Sequence, residues 1–185
     1  MYFTYTEENP ISFNPFYTDD YVFDVEKKDS IKTLLLTLWK TEDDKITKTE
    51  SGELGSAVSA YIERIRSDRS IIPSLNTFYE YMRDDYRREM EEREIRVRRE
   101  DFDIDNLLVT LRQYYRGGRY DFLLNSTENI DLLSKRFIVF EIDSIKENRE
   151  LFPVVTIIIM EAFINKMRRL KGVRKQLIIE EAWKA

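Results

Sequence analysis

Apolar residues recur along this chain with two different periods. Through the middle of the chain the spacing is three to four positions, the mark of one-faced helices. Ile31, Leu34, Leu35 and Leu38 share a face of a helix predicted near 30–39, with Asp29 or Ser30 as its cap. Leu54, Ala57, Val58, Tyr61, Ile62 and Ile65 do the same for a helix near 51–67, opened by Thr49 or Ser51. After Pro73 and Ser74, Leu75, Phe78, Tyr79, Met82 and Tyr86 predict a helix over 75–95. Asp103 caps a fourth, near 103–115, with Ile104, Leu107, Leu108 and Leu111 inward. Between the first two, the polar stretch Thr41 to Thr49 reads as a loop.

The two ends of the chain follow another pattern. Tyr2 to Tyr5 alternates aromatic and polar residues as a short strand does. Asn9-Pro10 and Asn14-Pro15 mark turns, and Tyr21 to Val25 is a second extended piece. Arg136 to Asp143, RFIVFEID, is an apolar run ending in acids. Asn148 then caps a helix near 149–171 that is apolar nearly all round, with Pro153 in its tolerant first turns and Gly172 past its end. Leu177, Ile178 and Ile179 form a last apolar run, stopped by Glu180 and Glu181. Strand, helix and strand in that order predict a right-handed unit with residues 136–142 and 176–180 as parallel strands. The expected fold class is therefore α/β: a partial parallel sheet from residues 1–27 and 132–185, with residues 28–131 inserted as a helical bundle.

Composition removes several kinds of chemistry. The 185 residues include no cysteine and no histidine, which excludes disulfides, thiolate and imidazole metal sites, and Ser-His or Cys-His nucleophile pairs. Catalysis would have to run on carboxylates, Lys, Arg, Tyr or backbone groups. The 30 basic and 35 acidic residues leave a net charge of −5, which demands no polyanionic partner overall. The segment Arg83 to Asp101 intersperses both signs and reads as a solvated, ion-paired face rather than a nucleic-acid surface. Tyr114 to Tyr120, YYRGGRY, could stack bases and contact phosphates, but a helix end followed by a glycine turn is the preferred reading. The most apolar segment, Leu151 to Ile164, is interrupted by Pro153, Thr156 and Glu161 and is too short to span a bilayer.

The candidate chemistry lies at Glu180-Glu181. Ligands of open parallel sheets bind beyond the carboxyl ends of the strands. An apolar strand ending there in two acids has the logic of a Walker B motif, in which one acid holds magnesium and the other polarises the water that attacks the γ-phosphate. Both acids serve one site only if the strand ends at about Glu180 and the chain turns. Glycines 117 and 118 form no phosphate loop, and GxxxxGK[ST] occurs nowhere in the 185 residues.

A set of short segments now adds to this reading. Ser12-Phe13-Asn14-Pro15-Phe16, Gly52-Glu53-Leu54, Gly117-Gly118-Arg119-Tyr120-Asp121, Arg136 to Asp143 and Glu180-Glu181-Ala182-Trp183 together resemble the conjugation-system ATPases of the TraG/TraC type, the fourth VirB component class of type IV secretion, in their conjugative-transposon form. The resemblance spans essentially the whole chain and implies a RecA-like P-loop ATPase domain. It also implies a homo-hexamer at the cytoplasmic face of the bacterial inner membrane, working with other type IV secretion subunits, whose ATP hydrolysis drives pilus assembly and transfer of DNA or protein. The family's Walker A loop would precede residue 1, so this chain would hold the middle of the domain, would bind ATP and magnesium only as part of the intact parent, and would be inactive alone. By motif, Glu181 is the catalytic carboxylate. Glu180 is the magnesium-side acid, acting through water and only with nucleotide, because the family's usual aspartate is replaced by a longer glutamate. Three other readings stand beside this one: a helical module that docks partner subunits through the 54–111 helices, a nucleic-acid-binding segment using Tyr114 to Tyr120 and the basic end of the long helix, and, ranked last, a carboxylate-pair hydrolase built on Glu141, Asp143, Glu180 and Glu181.

Overall fold

In the computed structural model, which describes residues 2–4, 12–18, 22–41, 43–126 and 135–180, helix α1 (Val25–Trp39) starts at Asp24 rather than at Asp29 or Ser30. The Lys27 N–H donates to Asp24 at 2.7 Å, and Asp24 itself is in extended backbone. A side-chain oxygen on the free N–H groups of the first turn sets the start of a helix. Asp29 lies one turn further in and pairs with Lys32 at 2.9 Å.

Helix α2 (Lys48–Ser67) is likewise opened by Thr47, two residues ahead of Thr49 and four ahead of Ser51. Thr47 and Glu50 form a capping box: Thr47 Oγ1 accepts the Glu50 N–H at 3.1 Å, and Glu50 Oε2 accepts the Thr47 N–H at 2.8 Å. Burial pushes the Glu50 carboxyl up, but the Lys40 ammonium at 2.6 Å and the Thr47 groups outweigh it and hold it below the ordinary glutamate value. Ser74 caps α3 (Leu75–Tyr81), and Asp103 caps α5 (Ile104–Leu111) as the spacing predicts. The expected single helix over 75–95 is instead α3, a π-helical turn over Met82–Tyr86, and α4 (Arg87–Glu92). Helix α5 stops at Leu111, short of 115, because the chain reverses through Gly117 and Gly118.

Helix α6 (Leu151–Arg169) is fed by Asn148, whose Oδ1 accepts the N–H groups of Glu150 and Leu151, both at 3.0 Å. Gly172, at φ +75°, turns the chain out of the helix. Helix α1 lies at the centre, packed on α2, α5 and α6. Its Ile31, Leu34 and Leu35 are fully buried, as are Leu54, Val58, Ile62, Phe78, Leu107 and Leu111 around them. Phe16, Phe23, Ile145, Leu151, Val154, Val155 and Ile158 belong to the same continuous core, so the end segments and the middle helices share one apolar interior.

Strand β1 (Tyr2–Thr4) pairs in parallel with β2 (Val139–Glu141), in the register Tyr2 to Val139, Phe3 to Phe140 and Thr4 to Glu141. The Phe3 and Phe140 rings stack at 5.1 Å. The sheet does join both ends of the chain, but the parallel partner of β2 is β1, not residues 176–180. Residues 173–179 carry no regular structure, and Leu177, Ile178 and Ile179 are 40%, 71% and 54% exposed. An extended run becomes a strand only where a neighbour completes its ladder, and among the described residues none lies beside this one.

Candidate functional site

The short segments that stand out in the sequence act in the structure as stitches between distant parts. Asn14 is buried, and its amide nitrogen donates to the Pro73 carbonyl at 2.8 Å and the Ser126 carbonyl at 3.2 Å. Its Oδ1 accepts the Phe16 N–H at 3.0 Å, the local turn that an Asn before proline favours. That turn drives Phe16 into the core against Tyr61 and Phe78. Glu53 accepts from the Tyr86 hydroxyl at 3.0 Å and from Arg93 at 2.7 Å, tying α2 to the far side of the π turn.

The Gly117-Gly118 turn is equally structural. Gly117 sits at φ +75°, and a Cβ on Gly118 would lie 2.4 Å from the Gln113 carbonyl oxygen. That carbonyl accepts the Tyr120 N–H at 2.8 Å, so it cannot move away without breaking the turn. Asp121 accepts the Gly117 N–H at 3.0 Å. Tyr114 and Tyr120 are buried against one another, and Tyr115 stacks on Tyr79 at 4.4 Å. The aromatic rings of YYRGGRY are thus committed to packing, as the glycine-turn reading predicts, and do not offer themselves to bases.

The charged segment after the π turn is neutralised internally. Asp85 takes both Arg64 and Arg88, Arg83 pairs with Asp84 at 2.6 Å, Arg87 and Arg99 meet Asp105, and Arg98 reaches Asp101 at 2.7 Å. This is the ion-paired face expected from the interspersed signs.

Two acids end β2. Glu141 Oε1 accepts the Asp143 N–H at 3.1 Å, and Lys146 donates to Asp143 at 2.6 Å. Glu180 is exposed in a turn at the end of the apolar run, and Glu181 lies outside the described residues. Among the described residues no three acids converge on a position that could hold a metal, so Glu141, Asp143 and Glu180 form no such cluster. The ionisable pair that sequence reasoning missed is Lys27 and Glu161. It joins α1 to α6 with side chains 10% and 6% exposed, and Glu161 Oε2 has no hydrogen-bond partner. The one signal was a lone acid in an otherwise apolar helix.

The model of the TraG P-loop domain family matches residues 1–185. The chain belongs to the TraG P-loop domain family. No curated protein matches it. A two-stranded parallel sheet flanked by helices is consistent with part of the TraG α/β fold. Membership implies a conjugative-transfer ATPase of the P-loop class, with nucleotide and magnesium as the ligands of that class. The carboxylates here suit magnesium in kind: they are hard oxygen donors, and magnesium is commonly held by one or two of them together with waters and phosphate oxygens. Among the described residues, no helix of this TraG chain is long and apolar enough to cross a membrane.

Proposed function

We propose that this chain contributes the second acidic motif of an ATP-driven motor in type IV secretion, one that powers pilus assembly and transfer of DNA or protein. The observation that carries the reading is the family match over residues 1–185, with an acid pair closing an apolar run at Leu177 to Glu181. In this reading residues 1–27 and 132–185 belong to a RecA-like core, residues 28–131 form an inserted helical bundle, and the assembled motor is a hexamer at the inner face of the bacterial inner membrane. The phosphate-cradling pattern GxxxxGK[ST] occurs nowhere in residues 1–185, and residues 1–185 alone should turn over no ATP.

Magnesium, bound with the nucleotide, offsets charge on the phosphate oxygens. Glu180 would be the acid on the magnesium side, acting through a metal-bound water. Glu181 accepts a hydrogen bond from the attacking water, orients it and takes up its proton. In the full-length protein, Glu181→Gln keeps the size of the side chain but loses the proton acceptor. Turnover should fall by roughly 10²–10⁴-fold while ATP affinity is retained. Glu180→Gln should weaken magnesium-dependent ATP binding as well. Steady-state ATPase rates and nucleotide titrations at saturating magnesium decide it; near-normal turnover of Glu181→Gln refutes the assignment.

A further inference from the structure

Two groups of cations among the described residues differ in what neutralises them. Between residues 83 and 116, Arg83, Arg87, Arg88, Arg93, Arg98, Arg99 and Arg116 are paired with acids. At the carboxyl end of α6 the situation is reversed. Lys171, Arg174 and Lys175 are exposed, as are Lys135 and Arg136, and among the described residues none of these five makes an ion pair. They are also gathered rather than scattered. The Lys166 ammonium donates to the Lys135 carbonyl, which holds residues 135–136 against the end of α6. The Lys175 ammonium donates to the Leu170 carbonyl and folds residues 171–175 back onto the same end.

A helix C-terminus attracts cations, but only within its last turn. That accounts for Lys166 and Lys175, which reach backbone carbonyls, and leaves Lys135, Arg136, Lys171 and Arg174 unexplained. Holding them together raises their mutual repulsion in a chain whose net charge is −5, a concentration of positive potential that a polyanion relieves. Beside Arg136, Phe137 is 72% exposed. An exposed ring next to cations is the composition of a surface that stacks a base while its neighbours contact phosphates. Tyr114 and Tyr120, the other aromatic–arginine combination, are buried.

We propose that the basic surface formed by Lys135, Arg136, Lys171, Arg174 and Lys175 at the end of α6 binds single-stranded nucleic acid, with Phe137 stacking on a base. The proposal does not rest on the nucleotide chemistry of Glu180 and Glu181. It is tested on the purified protein with a fluorescent thymidine oligomer of about 20 nucleotides, long enough to cover such a site. Each cation on a single strand contributes about −0.7 to the slope of log affinity against log salt, so five give about −3.5, or roughly a 100-fold loss between about 50 and about 200 mM. Lys171→Gln/Arg174→Gln/Lys175→Gln should bring the slope to about −1.4. Phe137→Ala should weaken binding at least about fivefold with the slope unchanged. Arg98→Gln/Arg99→Gln, on the paired face, should change neither, and unaltered far-ultraviolet circular dichroism shows the variants folded. No binding at about 50 mM salt, or an unchanged slope in the triple variant, overturns the proposal. So does binding to phosphatidylglycerol vesicles that the oligomer fails to displace. Equal affinity for duplex, or no loss in Phe137→Ala, overturns the assignment to single strands.

Discussion

At the scale of single residues, the placement of Lys27 and Glu161 is the most consequential. Desolvating two charges costs several kcal/mol each, and their attraction offsets this only in part when one carboxylate oxygen is left without a donor, as Glu161 Oε2 is. Removing one partner is therefore worse than removing both. Lys27→Met strands a buried carboxylate and should cost about 3–5 kcal/mol. The double variant Lys27→Met/Glu161→Leu keeps apolar volume at both positions and should recover most of that loss. Urea midpoints of the two variants check the order. A single variant no less stable than the double one would show that the pair is not desolvated as described.

At the scale of elements, the π turn Met82–Tyr86 sets the register between two faces of one helix. Its extra residue lets Phe78 and Met82 stay in the core while Tyr86, also fully buried, aims its hydroxyl at Glu53. Deleting Asp84 should let the turn relax to α geometry, rotating the following residues by about 100°. Tyr86 would leave the core and Glu53 would lose its partner. Tyr86→Phe removes only the hydroxyl and should cost about 1 kcal/mol. The deletion should cost more, about 3–5 kcal/mol, as for loss of a large buried side chain, while helix content by circular dichroism stays similar. Equal stability of the two would show that the π turn carries no register. This device was not legible in the sequence. The apolar spacing from Leu75 to Tyr86 reads as one unbroken helix, and nothing in it marks an inserted residue. The one-faced helices themselves were legible, because each needs only its own periodicity. The caps of α1 and α2 were misplaced because several Asp, Ser and Thr residues compete near each start, and the winner is decided by backbone direction. The pairing of residues 176–180 was not legible either: an apolar run announces burial but not the neighbour that would supply it. Of the candidate acids, the position of Glu180 after that run was readable, whereas the Lys27–Glu161 contact spans two helices and no local pattern announces it.

At the scale of the whole molecule, the core is unusually rich in tyrosine, and that gives it an alkaline limit. Burial pushes Tyr61 and Tyr86 each up to about 12 from an ordinary 10.0, and Tyr81 and Tyr114 are raised as well. A raised folded-state value means that the contribution is complete below pH 10, where both states are protonated. It is lost as the pH rises through the folded value, because the unfolded chain ionises first. Each such tyrosine should remove about 1.4 kcal/mol per pH unit between those limits. Urea midpoints should be flat from pH 8 to about 9.5 and fall steeply above pH 10, in step with tyrosinate absorbance. A midpoint unchanged at pH 11 would contradict the burial of these rings.

The pairing of Tyr2–Thr4 with Val139–Glu141 also has a consequence in time. The first strand leaves the ribosome long before its partner exists, and at about 5–20 residues per second the wait is on the order of 10 s. Helices α1 to α5 close their contacts within that interval, since those are nearer in sequence and helical contacts form in microseconds to milliseconds. Among the described residues, the edge at Tyr2 and Phe3 that Phe140 later covers has no other strand to pair with until Phe140 emerges beside an already assembled bundle, so the nascent chain is the state in which that edge is most open to a wrong partner.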